Sequence, residues 1–135
     1  MDVDFAFLAD TAQEGGGKLH ALGIGIDTLF ATDVPVAMAA IAAVTQVRYS
    51  VAEVGTKTLA IRVVDADGGN VIPPIDSEVA FAVPPGSTVA TARLIVALNG
   101  LTFPRYGDYA IHVAIDGHDV ASLRLAVAPQ PNATG

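Results

Sequence analysis

Residues 65–70 carry the side chains of this sequence that look most able to do chemistry. They read Asp-Ala-Asp-Gly-Gly-Asn, which places the oxygen-bearing side chains of Asp65, Asp67 and Asn70 close together, as in loops that bind calcium. Such a loop also needs a distal bidentate glutamate, whereas residues 73–76 read Pro-Pro-Ile-Asp. A hairpin turn explains the same residues, because Asp, Gly and Asn tolerate turn geometry. We therefore predict a turn and no metal site.

Two glycine-rich segments resemble nucleotide-binding motifs only in part. Residues 15–18 read Gly-Gly-Gly-Lys, but a phosphate loop requires Ser or Thr after the lysine and a following helix, and here Leu19 follows. Residues 23–25 read Gly-Ile-Gly without a third glycine opening a helix, as a dinucleotide site needs. Both segments are predicted to be turns or bulges, and no cofactor is expected.

The three histidines do not form a recognisable catalytic or metal-binding pattern. His20 and His112 fall on predicted strand faces, and His118 follows a predicted turn. Metal sites usually show paired ligands at short spacing, and the chain has no cysteine to supply a thiolate. No Gly-x-Ser-x-Gly elbow is present to support a serine nucleophile. The sequence predicts no catalytic residue, and we expect a protein that is not an enzyme.

Residues 99–109, Asn-Gly-Leu-Thr-Phe-Pro-Arg-Tyr-Gly-Asp-Tyr, form the most distinctive segment. As a binding edge, it would present Phe103, Arg105 and Tyr106, since Tyr and Arg are enriched at interface hot spots. As a sandwich corner, it would bury Phe103 at the end of the core and begin the next strand at Tyr109, as in immunoglobulin-like domains. The corner is favoured, and the three residues remain the candidate binding site.

Alternation of apolar and polar residues with period two predicts the elements that position these segments. Residues 58–64 alternate clearly, with Leu59, Ile61 and Val63 on one face. The same pattern, or an apolar strand-like run, recurs elsewhere: it occurs near residues 5–7, 19–30, 41–49, 77–83, 89–98, 109–115 and 122–127. About eight strands separated by Gly, Pro and Asp turns predict an all-β fold: a single antiparallel β-sandwich, immunoglobulin-like, or alternatively a small barrel.

Two segments lack the clear alternation that predicts the other strands. Residues 35–44 are rich in alanine, the best helix former, but they lack a one-sided helical stripe, so a strand is favoured over a short helix. Residues 128–135 contain two prolines, Asn, Thr and Gly, which predicts a disordered tail. The sandwich domain is therefore expected to span residues 1–127.

Composition excludes several classes of partner. The net charge of −7 argues against nucleic acid and against an anionic membrane surface, both of which attract basic proteins. The longest apolar run, residues 34–44, is too short to span a bilayer. The acidic start, with Asp2 and Asp4, is unlike a secretory signal, so a cytoplasmic location is expected.

Three segments together resemble a known family. They are residues 4–10 (Asp-Phe-Ala-Phe-Leu-Ala-Asp), 22–27 (Leu-Gly-Ile-Gly-Ile-Asp) and 103–109 (Phe-Pro-Arg-Tyr-Gly-Asp-Tyr). The chain resembles, over nearly its whole length, a group of short bacterial proteins classed only as a domain of unknown function. The resemblance implies a compact domain and carries no activity, substrate or catalytic residue.

Three functions remain, and they are ranked by what the residues support. A non-enzymatic module that binds a protein partner comes first, because no catalytic pattern is found and sandwich domains often present edges to partners. A small-ligand or enzymatic pocket between the sheets is second, since many inward positions are small. Self-association is third, through an uncharged edge formed by residues 34–44.

Overall fold

A computed structural model describes residues 1–131 of the chain, and they form strands joined by turns and one short turn of 3-10 helix, Val51–Glu53. Twelve strands are present in this part of the chain: β1 Asp2–Ala9, β2 Thr11–Gly15, β3 Lys18–Leu22, β4 Thr28–Ala31, β5 Val36–Met38, β6 Ala42–Ser50, β7 Gly55–Asp65, β8 Ile75–Phe81, β9 Val89–Ala97, β10 Leu101–Phe103, β11 Gly107–Ile115 and β12 His118–Pro129. Among these residues no helix has the length and apolar character needed to cross a lipid bilayer.

The strands form two main sheets and two small ladders. One sheet has the order β1-β6-β9, and the other has the order β4-β12-β11-β7-β8. The ladders pair β2 with β3 and β5 with β10. The predicted all-β fold is confirmed, with twelve strands instead of about eight. One pair, β4 with β12, is parallel. These two strands lie far apart in sequence, so no hairpin forces them to run in opposite directions.

The predicted alternation is the reason that these strands bury one face. In β11, Tyr109, Ile111 and Val113 point into the core, and Ile111 lies opposite Val63 of β7 and Leu123 of β12. Because side chains alternate across a strand, the residues between them lie on the outer face. The turn between β11 and β12 consists of Asp116 and Gly117, which both adopt positive φ, as a tight hairpin requires.

Side chains from both sheets fill one core. The core contains residues from β1, β6 and β9 on one side and from β7, β8, β11 and β12 on the other. Tyr49 of β6 and Phe81 of β8 stack with ring centroids 4.3 Å apart, which joins the two sheets. The Tyr49 hydroxyl also donates a hydrogen bond to the carbonyl of Ala82 at 2.7 Å. The interior of the sandwich is thus occupied by side chains along most of its length.

Residues 34–44 are divided between two strands that differ in exposure, and only one of them is at an edge. The segment contains β5 and the start of β6, with no helix, and β6 is the central strand between β1 and β9. Val44 is fully buried. Strand β2 contacts both β6 and β9, and Arg93 of β9 holds the β2–β3 hairpin through Glu14 (3.1 Å) and the Gly17 carbonyl (3.2 Å). Within residues 1–131, the predicted edge is therefore limited to β5, which pairs with β10 alone, and does not extend to residues 42–44.

Two predicted boundaries also differ. The single strand predicted near residues 19–30 is two strands, β3 and β4, because Gly23 and Gly25 adopt positive φ and turn the chain between them. At the other end, β12 continues to Pro129, which lies opposite Ala31 of β4. The strand thus enters the segment predicted to be a tail, of which residues 132–135 lie outside the described residues.

Candidate interaction site

The first candidate, the segment between β10 and β11, is a corner of the sandwich. Phe103 is fully buried, and its ring meets that of Tyr109 edge to face with centroids 4.8 Å apart. A partner cannot touch Phe103 without opening the core. Its assignment as a binding residue is therefore corrected, and the corner interpretation holds for it.

The hydroxyl of Tyr109 fixes the path of the corner. It donates to the carbonyl of Arg105 at 2.7 Å and accepts from the backbone N–H of the same residue at 3.2 Å. Both polar groups of the Arg105 backbone are thus paired by one side chain from four residues downstream. Gly107, with φ of +140°, makes the bend that returns the chain to the tyrosine.

Arg105 and Tyr106 lie at the surface, where Arg105 meets the turn after β7 and Tyr106 reaches the end of β4. The Arg105 guanidinium donates to Asp65 at 3.2 Å, and the Tyr106 hydroxyl donates to the carbonyl of Ala31 at 3.1 Å. A depression of about 240 Å³ lies between the corner and this turn. At its rim, a hydrogen bond from Arg124 to Asp108 raises the pKa of the arginine. The two most distinctive segments of the sequence therefore meet, although the Asp65, Arg105 and Tyr106 side chains already have hydrogen-bond partners within the fold.

The Asp65 carboxylate organises the turn that the sequence identified. One of its oxygens accepts the backbone N–H groups of Asp67 (3.0 Å) and Gly69 (2.9 Å), and the other accepts Arg105. This is the pattern of an aspartate that stabilises a turn through its own backbone. In the part of the chain that the structure describes, no group of three or more His, Asp or Glu side chains is arranged to hold a metal.

Replacement of Asp65 by alanine is expected to lower the free energy of unfolding by about 0.5–2 kcal/mol, as for other carboxylates that accept backbone N–H groups. Asp67→Ala is the matched control, because the Asp67 side chain is exposed on the same turn and only its backbone takes part in these bonds. Urea unfolding of the two variants measures the difference. Equal stabilities would contradict this role for Asp65.

The histidines lie on three different strands. His20 is in β3, where Nε2 lies 3.1 Å from the Gly15 carbonyl, beside an open depression of about 700 Å³ formed by the β2–β3 hairpin alone. His112 is on the outer face of β11, opposite Arg62 and Ser122, and His118 begins β12. The fold does not bring them together into one site.

A second candidate is the open side of the sandwich, between β8 and β9. These strands are the last members of their sheets, and within residues 1–131 neither has a second hydrogen-bonded neighbour. The cleft between them has a volume of about 390 Å³. Apolar side chains line most of it: Leu59, Ile61, Ile75, Val79, Leu94, Ile95 and Val96, together with Ser77, Arg93 and Ala97.

Comparison with known protein families gives a match over residues 4–128, to a family of unknown function (DUF6941). The chain belongs to this family. The resemblance inferred from the three sequence segments is thus confirmed at the level of a domain of unknown function. A search of curated proteins finds no match to the chain.

For this member of the DUF6941 family, sequence reasoning missed the β8–β9 cleft. The pattern Ile75-Asp76-Ser77-Glu78-Val79 marks β8 as a strand with an acidic outer face. Nothing in that pattern says which strands are last in their sheets, because edge position depends on pairing between distant segments. The one available signal was the row of two acids on one strand face, a common feature of strands that border solvent.

Proposed function

We propose that this domain is a non-enzymatic interaction module, and that its protein partner places an extended segment in the cleft between β8 and β9. The observation that carries the proposal is the cleft itself: an apolar groove of about 390 Å³ bounded by two strands with free edges. Such an arrangement offers backbone donors and acceptors beside pockets for alternate side chains. This combination is the physical basis of recognition by strand addition.

Two features of the groove support an extended partner: its open apolar surface and the free edge of β8. Val79 and Val96 are only half-buried although both pack against the core, so apolar surface remains open to a ligand. Burying one further aliphatic side chain there would contribute about 1.5–3 kcal/mol. A strand along β8 would add main-chain hydrogen bonds at the same time, whereas a small ligand would use the side-chain surface alone.

Self-association through β9 is a second candidate, favoured by the composition of that strand. Val89–Ala97 contains one charged side chain, Arg93, and this is engaged by Glu14 and Gln46. Edge strands with so little free charge tend to pair with other strands. The free edge of β9 is thus a further route to self-association, beside the segment 34–44, whose strand β5 pairs with β10 alone within residues 1–131.

The absence of cysteine makes a site-specific cross-linking test possible. A photoreactive maleimide attached to Ser77→Cys, which lines the cleft, is expected to cross-link one partner segment in a lysate of the source cells. The same reagent on Ser122→Cys, exposed on the outer face of β12, is the control and should give no such product. A cross-link to a second copy of the chain would instead favour self-association.

The captured segment must then bind on its own. As a synthetic peptide, it is expected to bind the wild-type chain, to lose at least tenfold in affinity for Val79→Gln, and to bind Ala80→Gln normally, because Ala80 lies on the opposite face of β8 and the change adds no charge there. Circular dichroism of each variant checks folding. Equal labelling from both cysteine positions, or equal peptide affinity for both glutamine variants, would refute the proposal.

A further inference from the structure

We infer that the segment bound at this cleft is basic: its apolar residues alternate with Lys or Arg, and it adds to β8. This inference rests on the proposed function and names the chemistry of the partner. In a strand added to β8, alternate side chains would enter the cleft, and the others would lie beside the outer-face residues of β8. Those residues are Asp76, Glu78 and Ala80.

Asp76 and Glu78 are exposed, and the fold provides no cation for them. Their neighbours across the ladder to β7 are Ala60 and Thr58, respectively. Within residues 1–131, neither carboxylate lies within 4.0 Å of a Lys, Arg or His nitrogen or of the amino terminus. The outer face of the free edge thus presents two uncompensated negative charges, while the inner face presents the apolar cleft.

The negative charges of Asp76 and Glu78 favour a basic segment over a second copy of β8. An added strand with cations opposite these acids gains cross-strand attraction of about 0.2–1 kcal/mol for each pair. A second copy of β8 is disfavoured, because antiparallel pairing centred on Ser77 would set Asp76 of one copy against Glu78 of the other. The net charge of −7 further accelerates encounter with a basic segment.

Strand β9, the second edge of the cleft, has no acidic residue that would favour a basic segment. On β9, the outward residues opposite Gln46 and Arg48 are Arg93 and Thr91. The Arg93 guanidinium already donates to Gln46 at 2.8 Å and to Glu14 at 3.1 Å. No acid of β9 is available to attract a cation, since the strand reads Val-Ala-Thr-Ala-Arg-Leu-Ile-Val-Ala. Recognition of a basic strand is therefore assigned to β8.

The test uses three synthetic peptides in which valine alternates with lysine, threonine or glutamate. Titration of the ¹⁵N-labelled full chain, followed by NMR, is expected to shift β8 amides and to show the lysine peptide binding at least about tenfold more tightly than the glutamate peptide, a difference of 1.4 kcal/mol. The double variant Asp76→Lys/Glu78→Lys is expected to reverse that order. High salt should reduce the preference.

Asp33→Lys/Asp67→Lys is the matched control, because it changes net charge equally at two exposed positions outside β8. It should keep the preference for the lysine peptide. A preference that survives in the β8 variant, or shifts confined to β9 amides, would overturn the inference. If the threonine peptide binds in the cleft as tightly as the lysine peptide, the proposed function stands and the basic specificity falls. If none of the three peptides binds, both fall.

Discussion

Replacement of Phe103 by alanine is expected to lower the free energy of unfolding by about 3–5 kcal/mol, the usual cost of removing a buried aromatic ring. Phe103 is fully buried where β10 meets the core, and it contacts the ring of Tyr109. This loss has two parts: the hydrophobic free energy that the buried ring no longer contributes, and the cost of the cavity that the surrounding side chains cannot fill. Urea denaturation followed by circular dichroism measures it.

Arg105→Ala provides the comparison for Phe103→Ala, because it removes a neighbouring side chain that is 65% exposed. Its effect on stability is expected to stay below about 1 kcal/mol, as for other surface ion pairs. If Phe103→Ala were as stable as the wild type, the placement of this residue in the core would be refuted, and its assignment as a binding residue would have to be restored.

Replacement of Tyr109 by phenylalanine is expected to cost about 1–3 kcal/mol, although the ring and its packing are kept. The change removes the one hydroxyl that pairs both the N–H and the carbonyl of Arg105. A part-buried backbone group that has lost its hydrogen-bond partner still pays the free-energy cost of being removed from water, and no hydrogen bond offsets that cost. The same denaturation experiment gives the value.

Tyr106→Phe is the matched control, since it removes the same chemical group three residues earlier. The Tyr106 hydroxyl makes one hydrogen bond, to the carbonyl of Ala31, and the residue is 38% exposed. Water can replace that bond, so the expected loss is about 0.5 kcal/mol. A larger loss for Tyr106 than for Tyr109 would contradict the description of the corner.

These expectations separate structural residues from candidate binding residues. The corner and the Asp65 turn attract attention in the sequence because they concentrate aromatic, charged and turn-forming residues. In the fold, Phe103, Tyr109 and Asp65 are engaged in packing or backbone hydrogen bonds. The β8–β9 cleft has an unremarkable sequence, yet it combines open apolar surface, free strand edges and unpaired charge. Aromatic and arginine residues can build a tight corner of the fold, and the same residue types are enriched in binding sites. Composition alone therefore does not distinguish the two roles.

Features that depend on near neighbours in the chain could be predicted from the residues alone. Alternation over residues 58–64 and 109–115 defined strands and their buried faces, because side chains of successive residues point to opposite sides. Asp116-Gly117 specified a tight hairpin, because both residues accept positive φ. The aromatic corner was recognisable because the interacting groups, Arg105 and Tyr109, lie only four residues apart.

Which strands are central and which are edges depends on the tertiary fold and could not be predicted from local pattern. The alanine-rich segment before Thr45 is divided between β5, which pairs with β10, and the start of β6, which lies between β1 and β9. Likewise, β4 pairs in parallel with β12, although the two strands lie near opposite ends of the sequence. Strand order results from contacts between distant segments, and many orders satisfy the same local alternation. The cleft exists because β8 and β9 end their sheets side by side, which no local pattern encodes.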